Sequence, residues 1–572
     1  MRVLLLVSAF NGLTQRLQRE LTLLDHDVAV EIAGSAASME DAVALFRPDL
    51  IVCPYLRQRV PDSIWKRHHC LIVHPGTQAD RGTSSLDWAI KRADLEWGVT
   101  LLQAAEELNA GPSWGSANFR LREAAKGSIY RREVSEMAVR LVLSALERVG
   151  DKQFKPQQLN EDHPNVTGRL NRTMKQADRR IDWLEHSTDE IVRRINAADG
   201  SPGVLDEIDG QPVYLYDASR AIDIDMEGRA GALLAQSHGA ICRATRDGAV
   251  WIGHVKRAML GPQRALKLPA TTVLGSCRDL PSIEADGIGA PAIGRNEIRY
   301  YEIGEVGYLH FDFYNGAMNT QQCRRLQRML QQAKQRPTKV IALLGGDEFF
   351  SNGIHLNCIE AASNPADESW ANTHAMNDVV KEVLEADKHL TVALVRGNAR
   401  AGGAVLAAAC DQVWIRSGVV LNVHYRTMGL YGSEYWTYAL PKRVGAAMTE
   451  RLITDCLPTL AKEALDIKLA DRVLTEQWEN YEREADRLLG ELTEPSEYKK
   501  LMAAKQKTRE RDARRKPLQS YRDAELHEMH RIFYDPRSDY HQARHHFVHK
   551  VQPDATPLRI APHRATSMQR RA

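Results

Sequence analysis

Between Arg2 and Val149, short apolar runs alternate with stretches of helical period, and no other feature restricts the fold as tightly. RVLLLVS carries a continuous block of five apolar residues, as suits a strand buried on both faces. LTQRLQRELTLL has apolar residues at helical spacing, and DVAVEIA is again a strand. SMEDAVALF opens on Ser38 as a helix cap, and PDLIVCPYL and HCLIVHPG return to strand. WGVTLLQAA continues the sheet, and Val134 to Val149 closes the unit as a helix. Such alternation builds an open, mostly parallel α/β sheet. Sheets of this kind bind ligands beyond the carboxyl ends of their strands, and His74 stands at such an end. An imidazole there is either a turn residue or a placed acid–base group. No GxGxxG follows the first strand, so dinucleotide binding is not indicated.

Residues 151 to about 165 are polar and read as a linker. The stretch 166–268 has a short helix capped by Ser187 or Thr188, then short alternating strands joined by Asp-Gly turns, which reads as a small β-rich partial barrel. A second linker is expected over 270–290. From Ile298 the α/β alternation resumes, with VGYLHFDF, KVIALLGG, TVALVRG and QVWIRS as strands and TQQCRRLQRMLQQAKQ and GGAVLAAACD as helices. Helices are expected to fill 434–490, and a charged helical region ends the chain. The expected domains are therefore 1–150, 166–268, 290–490 and 491–572.

At 572 residues the chain exceeds what one core supports. Its 76 basic and 74 acidic residues leave a net charge of +2, which argues against nucleic acid or membrane as the main partner. No apolar run reaches transmembrane length. MRVLLLVSAFNG lacks a small-residue cleavage site and reads as a first strand rather than a signal peptide. The eight cysteines (Cys53, Cys70, Cys242, Cys277, Cys323, Cys358, Cys410, Cys456) form no close pairs, so neither a disulfide framework nor a zinc knuckle is indicated. The expectation is a reduced, cytoplasmic protein.

Around IVHPG and WGVTLLQAAEELNAGPSW the chain resembles the 10-formyltetrahydrofolate-using transferases and hydrolases. RRIDW and VRRINAADGSPGV are similar to the small C-terminal domain of methionyl-tRNA formyltransferase, so the resemblance covers roughly residues 1 to 265. It implies 10-formyltetrahydrofolate as formyl donor. It puts His74 on the family histidine, Asn109 on the acidic position of an Asp-x-Gly segment, and Ile72 on an asparagine two residues before the histidine. Formyl transfer passes through a tetrahedral oxyanion, and a histidine can shuttle the proton or stabilise that oxyanion. Asn109 can orient but cannot ionise, and Ile72 has no donor, so two of the three usual groups are altered. Asp80 and Arg81, in ADRG, are nearby groups able to compensate; their plainer reading, and the expectation, is a surface turn with a local ion pair.

DEFFSNGIHLNCIEAA and VRGNARAGGAVLAAACDQVWIR resemble the enoyl-CoA hydratase/isomerase (crotonase) superfamily. Its members polarise a thioester carbonyl with two backbone amides, one in a loop after a strand and one at a helix N-terminus. The unpaired N–H groups and dipole of a helix start suit that task. By position the amides are those of Ile354 and Gly402. The two glutamates that hydratases use to activate water fall on Val405 and Tyr425, which argues against ordinary hydration. Tyr425, from NVHYRTMG, and Glu434, from YGSEYW, are a candidate acid–base pair; the alternative is a core aromatic and a helix-start residue. Phe547 and Lys550, in HFVHK, resemble a Phe-x-x-Lys that touches the adenine end of coenzyme A, and a surface helix accounts for them equally well.

The domain order, with SSLDWAIKRADLEWGVTLLQA, SNGIHLNCIEAA and LYGSEYWTYALPKRVG, resembles the HoxX/HypX family of hydrogenase maturation proteins over nearly the whole chain. That resemblance implies synthesis of carbon monoxide, an iron ligand of nickel–iron hydrogenase. A formyl group would pass from 10-formyltetrahydrofolate to coenzyme A, and formyl-CoA would split into carbon monoxide and coenzyme A. The implied partner is a hydrogenase large-subunit precursor or a maturation scaffold. Two other classes stay open: a formyltetrahydrofolate hydrolase with a non-catalytic CoA-binding module, and a non-catalytic carrier of ligand or metal. For the carrier, His527, His530, His541, His545, His546 and His549 include pairs three or four apart that could bind nickel; a solvated histidine-rich helix explains them without metal.

Overall fold

β1 (Arg2–Val7) is buried at every position after its first because it has parallel partners on both edges, β2 (Asp27–Ile32) and β3 (Leu50–Tyr55). β4 (Cys70–His74) joins β3 in parallel; β5 (Glu96–Gln103) and β6 (Ser113–Arg120) follow antiparallel, giving the order β2-β1-β3-β4-β5-β6. This computed structural model describes residues 1–158, 168–222, 228–259, 265–283, 287–289 and 294–568. The contacts divide the chain into two units, residues 1–282 with 552–572, and residues 283–551.

In the first unit the helix Ala36–Phe46 starts one turn earlier than the sequence pattern indicates. Its cap is Ser35, and Ser38 completes a reciprocal capping box, each backbone N–H donating to the other's hydroxyl at 3.0 and 3.1 Å. Leu4, Leu6, Ile51 and Cys53 on the sheet pack against Phe46 and Met39 of this helix. None of the eight cysteines, all among the described residues, is in a disulfide.

The β-rich part has β7 (Val204–Ile208), β8 (Gln211–Arg220), β9 (Leu233–Ser237), β10 (Ala240–Ala244), β11 (Ala249–Arg257) and β12 (Leu268–Pro269). They pair antiparallel in the order β7-β8-β11-β10-β9, with β12 on β11, so among the described residues the sheet stays open and closes no barrel. The helix Thr188–Ala198 is capped by Ser187. The linker expected over 151–165 lies outside the described residues from 159 onward, and the one expected over 270–290 opens with a helix, Ala270–Val273. The end of the chain returns to β2, the edge strand. Val30 N donates to Ile560 O at 2.8 Å, and Ile32 N donates to Thr556 Oγ1 at 2.9 Å. The edge's unpaired groups are thereby covered, and the region expected as one tail, 491–572, divides between the units.

The second unit runs through β13 (Ile298–Ile303), β14 (Val306–Phe311), β15 (Ala317–Met318), β16 (Val340–Leu344), β17 (Phe349–Ser351) and β18 (Gly353–Ile354). It continues with β19 (Leu390–Val395), β20 (Asn398–Arg400), β21 (Gln412–Arg416), β22 (Val420–Asn422), β23 (Thr459–Leu460) and β24 (Arg472–Leu474). The main sheet has the order β13-β14-β16-β19-β21-β24, parallel from β14 onward. Two small sheets, β15-β18 and β17-β20-β22-β23, hold the loops that carry the candidate amides. The stretch 434–490 is not continuous helix. The helices Trp436–Asp455, Ala461–Asp466 and Trp478–Thr493 are separated by β23 and β24, because short runs there complete the sheets. Of the terminal helices, Leu518–Tyr534 and Asp539–His549 bury Met529, Phe533 and Tyr540 in the unit's core. Among the described residues no helix is long and apolar enough to cross a membrane.

Candidate functional site

Candidate residues come together in each unit. In the first, β4 ends on His74 and the chain turns at Pro75-Gly76. Two β5 side chains hold this turn: Trp97 Nε1 donates to Pro75 O at 3.0 Å and Thr100 Oγ1 to Gly76 O at 2.9 Å. A Cβ on Gly76 would lie 2.3 Å from His74 Nε2, so only glycine leaves room for the imidazole. His74 is 4% exposed and Asp80 2%. His74 Nε2 lies 3.4 Å from Asp80 Oδ1, and Asp80 Oδ2 accepts from Asn171 Nδ2 at 2.8 Å.

This corrects the expectation of a surface turn at Asp80. The residue is buried because residues 169–171 run beside Arg81, with Arg81 N donating to Arg169 O and Asn171 N to Arg81 O, both at 3.0 Å. Arg81 pairs with Glu107 at 3.1 Å. Asn109 takes a positive φ of 57° and donates through Nδ2 to Gly82 O at 3.4 Å, which fixes the loop after Arg81. Ile72 packs against the apolar core of the sheet. A buried imidazole oriented by a carboxylate is placed to exchange a proton with a reacting group. The carboxylate comes from Asp80, six residues after the histidine, a spacing readable in ADRG. Asn171 carries no sequence signal, since it lies 91 positions from its partner.

In the second unit the helix Gly402–Ala409 begins without a side-chain cap, leaving its first N–H groups for another acceptor. Gly353 of β18 lies across this start: a Cβ there would sit 3.2 Å from Gly402 N, and its φ of 77° is left-handed. Ile354 follows in β18, and the next amide, His355 N, donates to the buried Asn372 Oδ1 at 3.0 Å.

Glu434 is set against the same helix start. A Cβ on Gly402 would lie 2.7 Å from Glu434 Oε1, so glycine is required for this approach. Tyr425 donates to Glu434 Oε2 at 2.6 Å, and the two residues are 4% and 3% exposed. Burial pushes the Glu434 carboxyl above the usual glutamate range, against hydrogen bonds from Tyr425 and Ser433 that favour the carboxylate. Burial, with the charge of Glu434 beside it, also keeps the Tyr425 phenol protonated. Val405 is fully buried in the helix.

Glu434 and Tyr435 both take left-handed conformations, with φ of 67° and 60°. Two such non-glycine residues in a row cost about 1–3 kcal/mol each and need external support. Asn377 Oδ1 accepts from Glu434 N at 2.6 Å. Glu525, from the helix Leu518–Tyr534, accepts from Tyr435 N and Thr437 N at 2.8 Å each. Burial pushes the Glu525 carboxyl up to about 8. Asn377 and Glu525 were missed by sequence reasoning, which has no pattern linking positions 57 and 90 residues apart. The buried Nδ2 of Asn377 and Nε1 of Trp436 have no acceptor among the described residues, so polar capacity remains beside the pair. Phe547 is 51% exposed, with Lys550 Nζ 4.2 Å from its ring centre.

Residues 310–556 match the enoyl-CoA hydratase/isomerase family and residues 173–266 the formyl transferase C-terminal domain. Over 571 residues the chain is 47% identical to the hydrogenase maturation factor HoxX of Bradyrhizobium diazoefficiens, covering 99% of this chain and 97% of that one. The chain belongs to the HoxX/HypX family of hydrogenase maturation factors. A HoxX/HypX member, HypX from Aquifex aeolicus, crystallised in complex with tetrahydrofolic acid, is similar at TM-score 0.93 and 40% identity over 99% of each chain. Methionyl-tRNA formyltransferase of Variovorax paradoxus is 28% identical over 231 residues, 39% of this chain and 68% of that one. A HoxX/HypX chain thus joins a formyltransferase-like part to a crotonase-like part.

Proposed function

We propose that this chain makes carbon monoxide for hydrogenase maturation by moving a formyl group from 10-formyltetrahydrofolate to coenzyme A and then splitting formyl-CoA. In the first step the CoA thiol attacks the formyl carbon. His74, oriented by Asp80, takes the thiol proton and returns a proton to the folate nitrogen as the C–N bond breaks. In the second step the amides of Ile354 and Gly402 polarise the formyl carbonyl. Glu434 takes the formyl proton, the C–S bond breaks, carbon monoxide leaves, and the thiolate regains a proton through Glu434 and Tyr425. Phe547 and Lys550 receive the adenine end of coenzyme A. The recipient is a hydrogenase large-subunit precursor or its maturation scaffold, in the cytoplasm.

The observation that carries this reading is the buried Tyr425–Glu434 pair set against the start of the Gly402 helix. It stands in a crotonase-like fold where the positions for the water-activating glutamates hold Val405 and Tyr425. Burial makes Glu434 a stronger base than an exposed glutamate and keeps water from the thioester. Isotopically labelled 10-formyltetrahydrofolate supplied with coenzyme A should yield labelled carbon monoxide, trapped on haem. Labelled formate as the only product would refute the splitting step.

A further inference from the structure

The helix Asp539–His549 places His545 and His549 one turn apart on one face. Opposite them is Glu360, on the helix Leu356–Ala361. His545 Nδ1 is 2.9 Å and His549 Nε2 3.4 Å from the same carboxylate oxygen, Glu360 Oε1. All three ligand atoms lie within 4.8 Å of one another. Ligand atoms around a tetrahedral ion at zinc–nitrogen and zinc–oxygen distances are separated by roughly 3.4 Å. The other carboxylate oxygen, Oε2, accepts from Arg544 Nε at 2.6 Å, which fixes the plane of the carboxylate and leaves Oε1 toward the imidazoles. The His545 side chain is 55% exposed, so water can complete the coordination.

We propose that Glu360, His545 and His549 form a site for one divalent transition-metal ion of the zinc class. Two imidazoles and one carboxylate are a donor set suited to zinc, cobalt or nickel rather than to magnesium or calcium. The ion ties the helix Leu356–Ala361, which begins two residues after Ile354, to the helix Asp539–His549. Its role is to staple the exit of β18, the strand carrying one candidate amide. The site does not depend on the reaction proposed above, because none of its three residues takes part in that chemistry.

The test uses the full-length, untagged, metal-stripped protein. Cobalt(II) is titrated while its visible ligand-field bands are followed, and zinc binding is measured by calorimetry. The expected result is one ion per chain, an affinity loss of about tenfold or more in each of His545→Ala and His549→Ala, and unchanged affinity in His527→Ala. Zinc should also raise the unfolding temperature of the parent protein and not of the double variant. His545 is exposed, so its replacement leaves the fold intact and makes the cobalt titration of that variant decisive. Binding to His545→Ala/His549→Ala as tight as to the parent protein, or binding to the parent weaker than about 1 mM, would overturn the proposal.

Discussion

At the scale of single residues the structure sets a carboxylate beside His74. By resemblance Asn109 takes the family's acidic position, where it can orient but not ionise; the carboxylate facing His74 belongs to Asp80. Asp80→Asn should lower tetrahydrofolate release by about a hundredfold or more, with little change in folate KM. A variant within twofold of the parent would remove Asp80 from the mechanism. Asn109→Asp should not raise turnover, because a carboxylate cannot donate to Gly82 O as the amide does. His74 was readable because a lone imidazole at a strand end follows from local pattern. Asp80 was misread because its burial depends on residues 169–171, which no local pattern connects to it. Glu434 gives a pH signature. Its carboxyl is held above the usual glutamate range, so the basic form accumulates only as pH rises past that raised value. The acid limb of the splitting rate should therefore have its midpoint above about 4.3, the exposed-glutamate value. Rates measured from pH 4 upward check this, and a limb at or below that value contradicts it.

At the scale of elements, strand and helix periods identified both α/β repeats, the Thr320–Ala333 helix and the Gly402–Ala409 helix, since each pattern is set within about ten residues. Pairings between distant segments were not legible. The clearest is the return of the chain end to β2, where Glu31 is bonded to Arg564 at 2.6 and 2.8 Å and to His563 at 3.1 Å. Glu31 is 1% exposed. Arg564→Ala leaves this buried carboxylate without its guanidinium partner and should cost about 3 kcal/mol in denaturant unfolding. A loss below about 0.5 kcal/mol would show that the tail does not brace the edge strand.

At the scale of the whole molecule, Glu525 links stability to pH. Its folded value of about 8 exceeds the unfolded glutamate value of about 4.3. Below the lower value both states are protonated and nothing is lost. Between the two, the unfolded chain releases a proton that the folded chain keeps, so stability falls as pH rises, by of order a few kcal/mol in total. Glu525→Gln should flatten that slope in unfolding measurements from pH 5 to 8; an unchanged slope would assign it to other groups.

Glu434, paired with Tyr425, is the group proposed to split formyl-CoA. Formyl-CoA supplied directly, with the gas captured on haem, tests it most simply. Carbon monoxide should form at the same rate with the parent protein and with His74→Ala, and should be lost with Glu434→Gln. Undiminished carbon monoxide from Glu434→Gln, or formate alone from the parent protein, would contradict it.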